Sequence, residues 1–521
     1  MNWAKEIAEE IVKTYPDEKV YTIASGVSPS GFIHIGNFRE IVTPYMVVLE
    51  LRKLGKNVRF ILSVDNFDRF RKVPGGLPES LSQYIGKPYV DFPCPLNEKV
   101  SYGKFMQERF IGELKSVGIE PECIFQADMY RSGKYTDQVI ESMHKRKQIF
   151  EIIDTFRTQD ATEEEVKNYY PISLYCSHCG KDSTTITSYD EKTEDLTYTC
   201  ACGHSEKVNL KTFHNVKLQW KVDWPMRWKY ENDLFESGGL DHSTAGSSHD
   251  VAKEVVTKIF NWHTPIYYGY NFIGIKGGGA KMSSSKGGVL TLTDLLNVYD
   301  KNIILWFYAK YKPNQAFNIS LDNDVIRYYS EFDRWVKAYF EGTIDEGNKE
   351  FIELCGVTKD YLDNPSFSNL ATFLPIVNFN EDLLAKLMAK EGVDTKSKLY
   401  KERLARAKYW VTNYGEEYQV NVLKEQNVEF YKTLNDEEKG WIKKTIELMK
   451  ENYETTTDLQ NTLYAVVKTP DLNPEDLKKV QKRYFEILYN LLLGESRGPK
   501  LGLFLTALGK ETVTKLLSIA K

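Results

Sequence analysis

A Gly- and Ser-rich run near the start of the chain contains one imidazole and one carboxamide, on His34 and Asn37. These two residues are three apart, so their side chains share one face of a helix. Glycine lets a ligand approach the backbone closely, and free amide N–H groups at a helix N-terminus favour anions, above all phosphate. The run therefore predicts a site that holds a triphosphate. The alternative is an ordinary βα loop that is capped by Ser or Asn.

A second run contains two lysines, Lys281 and Lys286, between clusters of glycine. The flanking glycines predict a loop that can close on phosphates, and each ammonium can stabilise a pentavalent α-phosphate as pyrophosphate leaves. A solvated Gly/Lys linker is the alternative. The position of the loop, directly after the apolar strand-like residues 266–275, argues against a linker.

Four of the seven cysteines form two pairs that are each followed by Gly: Cys176 with Cys179, and Cys200 with Cys202. The segments TTITSYD and DLTYTC between the pairs alternate like a β-hairpin. Tetrahedral zinc takes four thiolate or imidazole ligands from two such turns, and a closed site leaves no open position for a substrate. We therefore predict one structural zinc on these four cysteines, with His204 as the substitute for Cys202.

The elements that must position the first run have the pattern of a β–α–β unit. After a leading helix over residues 1–19 comes a β-branched strand, then apolar residues at helical spacing, then a second strand over residues 57–63. Such a unit belongs to a parallel nucleotide-binding sheet, whose ligands lie at the carboxyl ends of the strands. Asp65 and Asp68 follow the second strand and are expected near a substrate, although Asp68 fits a capping role equally well.

Changes in composition along the chain predict an α/β, Rossmann-like catalytic domain that is split by an insertion and followed by an all-α domain. We expect the halves of the sheet domain at 1–90 and 216–310, the zinc-bearing insertion at 91–215 and helices at 311–521. Within residues 386–408, basic residues outnumber acidic ones, which is typical of a face that contacts a phosphate backbone. A solvated helix face is the alternative. The basic residues are Lys386, Lys390, Lys396, Lys398, Lys401, Arg403, Arg406 and Lys408.

The overall composition limits the class of protein. With 521 residues, 42% of them hydrophobic and 27% charged, the chain has the composition of a globular protein of several domains. A net charge of −5 argues against a protein coated in nucleic acid. The charged first helix does not fit a signal peptide, and no apolar run approaches the ~18 residues of a membrane helix. We expect a cytoplasmic monomer with no membrane partner.

Several runs together resemble one family of enzymes. SGVSPSGFIHIGN and GGGAKMSSSKGG, with zinc-knuckle cysteines between them, resemble the HIGH and KMSKS elements and the insertion of class I aminoacyl-tRNA synthetases. WKVDWPMRW and GGLDHSTAGSSHD resemble the class I lysyl-tRNA synthetases in particular. The similarity covers the catalytic half almost continuously and resumes at residues 497–502. Asn37 stands where HIGH has its second His, and Ser284 where KMSKS has its second Lys.

The resemblance implies that the enzyme uses ATP with Mg²⁺ and that a known set of residues binds the nucleotide. His34 and Asn37 would bind the phosphates and stabilise the adenylation transition state. Lys281 and Lys286 would neutralise the departing pyrophosphate, with Lys286 in place of the missing second Lys. The nucleotide-binding set, whose last glycines and Asp241 would pack against the ribose, is completed by Pro29, Gly31, Gly36, Met282, Ser283, Ser284, Ser285, Gly238, Gly239 and Asp241.

The resemblance also implies a pocket for lysine at the same edge of the sheet. Asp65 is expected to accept a cationic amino group of the substrate. Trp220 and His242 would form the wall, with Tyr268 or Tyr270 supplying an O–H or a cation–π face. Plain core packing is the alternative for Trp220. Gly26 and Ser28 would line the pocket from the first turn.

The activity that the resemblance implies is activation of L-lysine by ATP and its transfer to tRNA(Lys), with the helical region reading the anticodon. Three alternatives stay open: a glutamyl- or glutaminyl-type synthetase, a non-catalytic tRNA-binding homologue, and a small-molecule adenylyltransferase of the same superfamily. A glutamate-type site would need an Arg for the substrate carboxylate, and Arg39 is the one near the first run. No His stands where relatives have a second set of ligands, so one zinc is expected and not two.

Overall fold

The computed structural model describes residues 2–157, 161–243, 246–276, 290–415, 420–470 and 473–519. The chain divides into two compact units. The first comprises Met1–Leu295, Lys301–Ile319 and Asp345–Gly356, and the second comprises Leu296–Asp300, Ser320–Ile344 and Val357–Lys521. No helix among the described residues is both long enough and apolar enough to cross a bilayer.

The elements of the first part of the chain alternate between strands and helices. In chain order they are α1 (Trp3–Thr14), β1 (Tyr21–Val27), α2 (Ile35–Lys53), β2 (Val58–Val64), β3 (Pro93–Cys94), β4 (Asn97–Ser101), α3 (Tyr102–Ser116), β5 (Glu122–Phe125), α4 (Gln126–Arg131), α5 (Thr136–His144), α6 (Arg146–Asp154), α7 (Glu163–Asn168), β6 (Ile172–Leu174), β7 (Thr184–Asp190), β8 (Asp195–Cys200), β9 (Ser205–Asn209), β10 (Val216–Leu218), α8 (Trp220–Glu231), β11 (Asp233–Gly239), α9 (Ser248–Lys258), β12 (Ile266–Tyr270) and β13 (Ile273–Ile275).

The rest of the chain is mostly helical. Its elements are α10 (Leu292–Leu296), α11 (Lys301–Lys310), β14 (Phe317–Ile319), α12 (Asp324–Phe340), α13 (Glu346–Leu354), α14 (Phe367–Ile376), α15 (Glu381–Lys390), α16 (Lys398–Asn413), α17 (Val428–Lys432), α18 (Asp436–Leu448), α19 (Thr456–Ala465), α20 (Pro474–Leu493), α21 (Leu501–Leu508) and α22 (Lys510–Leu517).

A parallel sheet forms the centre of the first unit, in the order β12-β11-β1-β2-β5 among the described residues. Each neighbouring pair in this sheet is parallel. Six of the seven residues of the middle strand β1 are buried, which is the pattern of a strand covered on both faces. The predicted fold class, a Rossmann-like parallel sheet with a helical C-terminal region, is confirmed. The carboxyl ends of β1, β2, β11 and β12 therefore lie at one edge of the sheet.

The edge strand β5 comes from inside residues 91–215, the range that was predicted as the insertion. Its four residues pair with the end of β2, from Ile61↔Glu122 to Val64↔Phe125. No clear sequence pattern marks this strand, because ECIF is only four residues long, and in the structure only one of these residues is fully buried. Further along, β7, β8 and β9 form an antiparallel sheet that includes the predicted hairpin.

In the second unit, the basic stretch of residues 386–408 is only partly a surface. Arg403 of α16 is fully buried, where it contacts Asp300 at 2.5 Å and Asp333 at 2.9 Å. It also donates to the hydroxyl of Tyr361 at 2.7 Å. The interpretation of this stretch as a phosphate-contacting face is therefore wrong for Arg403, which is committed to an internal ion-pair network.

Candidate active site

His34 caps helix α2 and is held in one orientation by the first turn of that helix. Its Nδ1 accepts hydrogen bonds from the backbone N–H groups of Gly36 (3.1 Å) and Asn37 (3.3 Å). In return, the Oδ1 of Asn37 accepts the backbone N–H of His34 (3.4 Å). Burial lowers the pKa of His34 to about 4. The ring is therefore neutral at pH 7, and because Nδ1 is an acceptor, the proton lies on Nε2, which can donate to an anion.

The backbone amides at the start of α2 are not free, contrary to the expectation from the sequence. Gly36 and Asn37 donate to the imidazole, the amide of Ile35 donates to the carbonyl of Leu290 (3.0 Å), and that of Phe38 to the carbonyl of His34 (3.1 Å). The expectation was wrong because the N-cap histidine itself accepts the amide hydrogens that a ligand would otherwise meet. An anion at this helix end would thus meet the imidazole.

The turn between β1 and α2 opens onto a cavity of about 390 Å³ at the carboxyl ends of the central strands. Most of the residues that were predicted to bind ATP or lysine line this single cavity, although they come from widely separated parts of the chain. They are Gly26, Ser28, Gly31, His34, Gly36, Asn37, Asp65, Trp220, Gly238, Gly239, His242 and Tyr270.

The remaining predicted residues lie elsewhere in the structure or outside the described residues. Tyr268 is directed away from the cavity, and its hydroxyl donates to Glu10 of α1 at 2.8 Å, so Tyr270 is the tyrosine that lines the cavity. Pro29 does not line the cavity, and Asp241 belongs to the short 3-10 helix Leu240–His242. Six predicted residues lie outside the described residues: Lys281, Met282, Ser283, Ser284, Ser285 and Lys286.

Asp65 is part of a buried network of charges beside the cavity. Its Oδ1 lies 2.7 Å from Nη1 of Arg227, which also contacts Asp223. Asp223 lies 3.5 Å from Nζ of Lys217, which pairs with Asp68. Burial raises the pKa of Asp65, and the guanidinium opposes this shift. Asp65 is therefore a cavity residue whose charge Arg227 balances, and Asp68 is a structural ion-pair partner that does not line the cavity.

Among the lining side chains that sequence reasoning missed are two carboxylates and one indole, on Glu40, Glu236 and Trp224. Glu236 is buried in β11, and its Oε2 accepts the indole N–H groups of Trp224 (2.7 Å) and Trp228 (2.6 Å). Burial raises the pKa of Glu236 to about 7, although the two indoles favour its carboxylate. Trp220, Trp224 and Trp228 are four residues apart, a spacing that places them on one face of a helix. This spacing could have pointed to Trp224.

The charged side chains that line the described part of the cavity are all carboxylates, on Glu40, Asp65 and Glu236. Arg39, which a glutamate-type site would need, is 2% exposed. Its guanidinium donates to two backbone carbonyl oxygens, each at 2.8 Å, and lies over the ring of Phe317. Arg39 is thus a structural residue, and the cavity suits a cationic ligand better than an anionic side chain.

The four predicted metal-ligating cysteines come together in the hairpin region. Their sulfur atoms all lie within 4.8 Å of one another, with Cys176 3.9 Å from Cys202 and Cys179 3.7 Å from Cys200. A tetrahedral ion with metal–sulfur distances of about 2.3 Å needs sulfur–sulfur edges of about 3.8 Å. The cluster therefore fits a metal ion. His204 is not needed for it and lies 3.5 Å from Glu206.

Comparison with known proteins decides between the alternatives that the sequence left open. The family described as tRNA synthetases class I (K) matches residues 1–357. The chain belongs to the class I lysyl-tRNA synthetase family. Its relatives include the lysine–tRNA ligases of Borreliella burgdorferi (34% identity over 99% of both chains), Thermococcus kodakarensis (34% identity over 100% of this chain and 99% of the relative) and Streptomyces coelicolor (33% identity over 99% and 98%).

The chain is therefore an enzyme of the ligase type, and the predicted enzyme class is confirmed. ATP with Mg²⁺ is the general requirement of class I synthetases. Among solved structures, a glutamate tRNA ligase from Elizabethkingia meningosepticum is a distant match, with 14% identity, a TM-score of 0.44 and coverage of 96% of this chain and 98% of that one.

Proposed function

We propose that this enzyme activates L-lysine with ATP and transfers the lysyl group to tRNA(Lys). The observation that supports the choice of amino acid is the set of carboxylates in the cavity, on Glu40, Asp65 and Glu236. The two ammonium groups of lysine suit this acidic lining, in which Arg227 offsets the charge of Asp65 and two indoles engage Glu236. The side chain of glutamate would meet like charges there. The names of the full-length relatives support the same choice.

The lysine pocket is formed by Trp220, His242 and Tyr270, with Gly26 and Ser28 at the strand end. Asp65 is a poorer partner for the substrate than the sequence suggested, because the guanidinium of Arg227 already balances its charge. Glu40 also lines the cavity, from α2, the helix that also bears His34 and Asn37, and its carboxylate is a second acceptor that the substrate's ammonium can meet.

In activation, a carboxylate oxygen of lysine bonds to the α-phosphorus of ATP while the bond to the β-phosphate oxygen breaks and pyrophosphate leaves. Nε2–H of His34 and the amide N–H₂ of Asn37 donate to the phosphate oxygens as charge develops there. Mg²⁺ bound with ATP supplies further charge neutralisation. We assign the neutralisation of pyrophosphate to Lys281 and Lys286 on the basis of their positions in the sequence.

In the transfer step, the terminal 2′-hydroxyl of the tRNA attacks the lysyl carbonyl, its proton is lost, and AMP leaves with the electrons of the mixed anhydride bond. No side chain becomes a covalent intermediate in either step, so the protein acts by positioning and by charge. The cysteine cluster is assigned one structural zinc, because its four sulfur atoms close the coordination shell and leave no position for a substrate.

The test is amino-acid-dependent ATP–pyrophosphate exchange with each of the twenty amino acids, with and without total tRNA. We expect exchange with lysine and, in Glu40→Gln, a rise in KM for lysine of about 10-fold or more. Glu191→Gln, which alters a surface glutamate that is 54% exposed, is the matched control and should behave like wild type. Exchange with glutamate would overturn the substrate assignment. Absence of exchange with every amino acid would favour the non-catalytic RNA-binding alternative.

A further inference from the structure

A chain of aromatic contacts connects the buried Glu236 to the wall of the lysine pocket. Trp224 stacks on Trp220, with 5.1 Å between the ring centroids and 13° between the planes. The ring of His242 meets the same indole edge-on, at 6.2 Å. Both proposed wall residues therefore rest on Trp224.

Glu236 fixes the position of Trp224. The indole N–H of Trp224 is 2.7 Å from Oε2 of Glu236, and that oxygen also accepts the indole N–H of Trp228 at 2.6 Å. Trp224 is 5% exposed and Trp228 is 1% exposed, so neither N–H can turn to water. Without Glu236, two buried donors would lose their acceptor, and the free energy cost would favour a different placement of both rings.

We propose that Glu236 is a specificity-determining positioning residue, which holds Trp224 so that Trp220 and His242 stand at the spacing that a lysine side chain needs. This role rests on the proposed function, because it concerns the same pocket. It does not require Glu236 to form an ion pair with the substrate, since Oε2 is engaged by the two indoles. The essential property of Glu236 is therefore its ability to accept hydrogen bonds from buried donors.

Two substitutions separate hydrogen-bond acceptance from charge. Glu236→Gln keeps an acceptor oxygen of nearly the same size, whereas Glu236→Leu removes it. In lysine-dependent ATP–pyrophosphate exchange, we expect KM for lysine to rise less than about 3-fold in Glu236→Gln and about 10-fold or more in Glu236→Leu. The KM for ATP should stay unchanged in both. Asp233→Asn, a buried carboxyl at the other end of β11, is the matched control and should leave KM for lysine unchanged.

A third substitution keeps the proposal testable if Glu236→Leu does not fold. Trp224→Phe retains a ring to stack on Trp220 but removes the N–H donor, so it should raise KM for lysine without a loss of folding. The signal of the stacked indoles in circular dichroism should change in Glu236→Leu and persist in Glu236→Gln. Where Trp224→Phe and Glu236→Leu both fold, the variant with both substitutions should have a KM for lysine no higher than that of Glu236→Leu alone.

Two results would overturn the proposal. Equal increases in KM for lysine in Glu236→Gln and Glu236→Leu would show that the charge of Glu236 acts on the substrate directly. Unchanged KM for lysine in Trp224→Phe and Glu236→Leu would show that the indole has no part in the pocket. Failure of the wild-type enzyme to use lysine would instead refute the proposed function, so the two failures are distinguishable.

Discussion

Replacement of Gly36 by Ala should separate catalysis from stability at the start of α2. A Cβ at Gly36 would lie 2.8 Å from Cε1 and 2.9 Å from Nδ1 of His34, so the imidazole would have to leave the helix end. Loss of the cap should lower the free energy of unfolding by about 1 kcal/mol. The change from Gly to Ala in a helix should raise it by up to about 1 kcal/mol. We therefore expect the free energy of unfolding to change by less than about 1 kcal/mol. In contrast, kcat should fall by about 100-fold, the usual cost of one lost transition-state donor.

The assay is lysine-dependent ATP–pyrophosphate exchange, together with denaturant unfolding of the same preparations. Gly112→Ala is the matched control, because a Cβ there meets nothing within 4 Å on the exposed side of α3. This control should keep wild-type kcat and gain a little stability. A Gly36→Ala enzyme with wild-type kcat would refute the reasoning, since it would show that the imidazole need not lie over the helix end.

Three further predictions concern pH, a buried ion pair and the metal. Burial holds the pKa of His34 at about 4, below its usual 6.5. Between these pH values His34 is therefore protonated in the unfolded chain and neutral in the folded chain. The free energy of unfolding should therefore fall as pH is lowered through this window, with a smaller slope in His34→Gln; equal slopes would contradict the assignment. Arg403→Met should lower the free energy of unfolding by about 3–5 kcal/mol, and the exposed Lys408→Ala by less than about 1 kcal/mol, in denaturant titrations. Cys202→Ser should lose at least half of the bound metal in elemental analysis while His204→Ala retains it, and the reverse result would place His204 in the site.

The features that could be predicted from the sequence are those whose chemistry is local. The turn that brings His34 and Asn37 onto one helix face needs only a strand, a Gly-rich loop and a helix in succession. The cysteine cluster is likewise determined by two short turns and one hairpin, and its four sulfur atoms lie where the spacing suggested. In both cases, the residues that define the feature lie within one short span of the chain, which a single turn or hairpin closes.

The features that could not be predicted depend on how one element packs against another. Arg403 looked like one of eight basic surface residues, and its burial follows from Asp300 and Asp333, which lie outside the basic stretch. Similarly, nothing near Glu236 in the strand DLFESGG shows that two indoles from the preceding helix will donate to it. A local pattern of charged residues gives the sign of the charge. Packing against other elements decides whether that charge faces solvent, a ligand or another side chain.

The cap at His34 also changes how the positive end of α2 can act on a phosphate. Two backbone amides donate to Nδ1, so the imidazole is polarised by the helix end and its Nε2–H becomes a stronger donor than that of an isolated neutral histidine. A phosphate that took the amides directly would have to displace the ring, so the two arrangements exclude each other. The low pKa of His34 favours the first, because a neutral ring with an accepting Nδ1 is the form that both caps the helix and presents a hydrogen. We propose that the helix acts on the nucleotide through the imidazole, and that Gly36 matters because any side chain there would displace that ring.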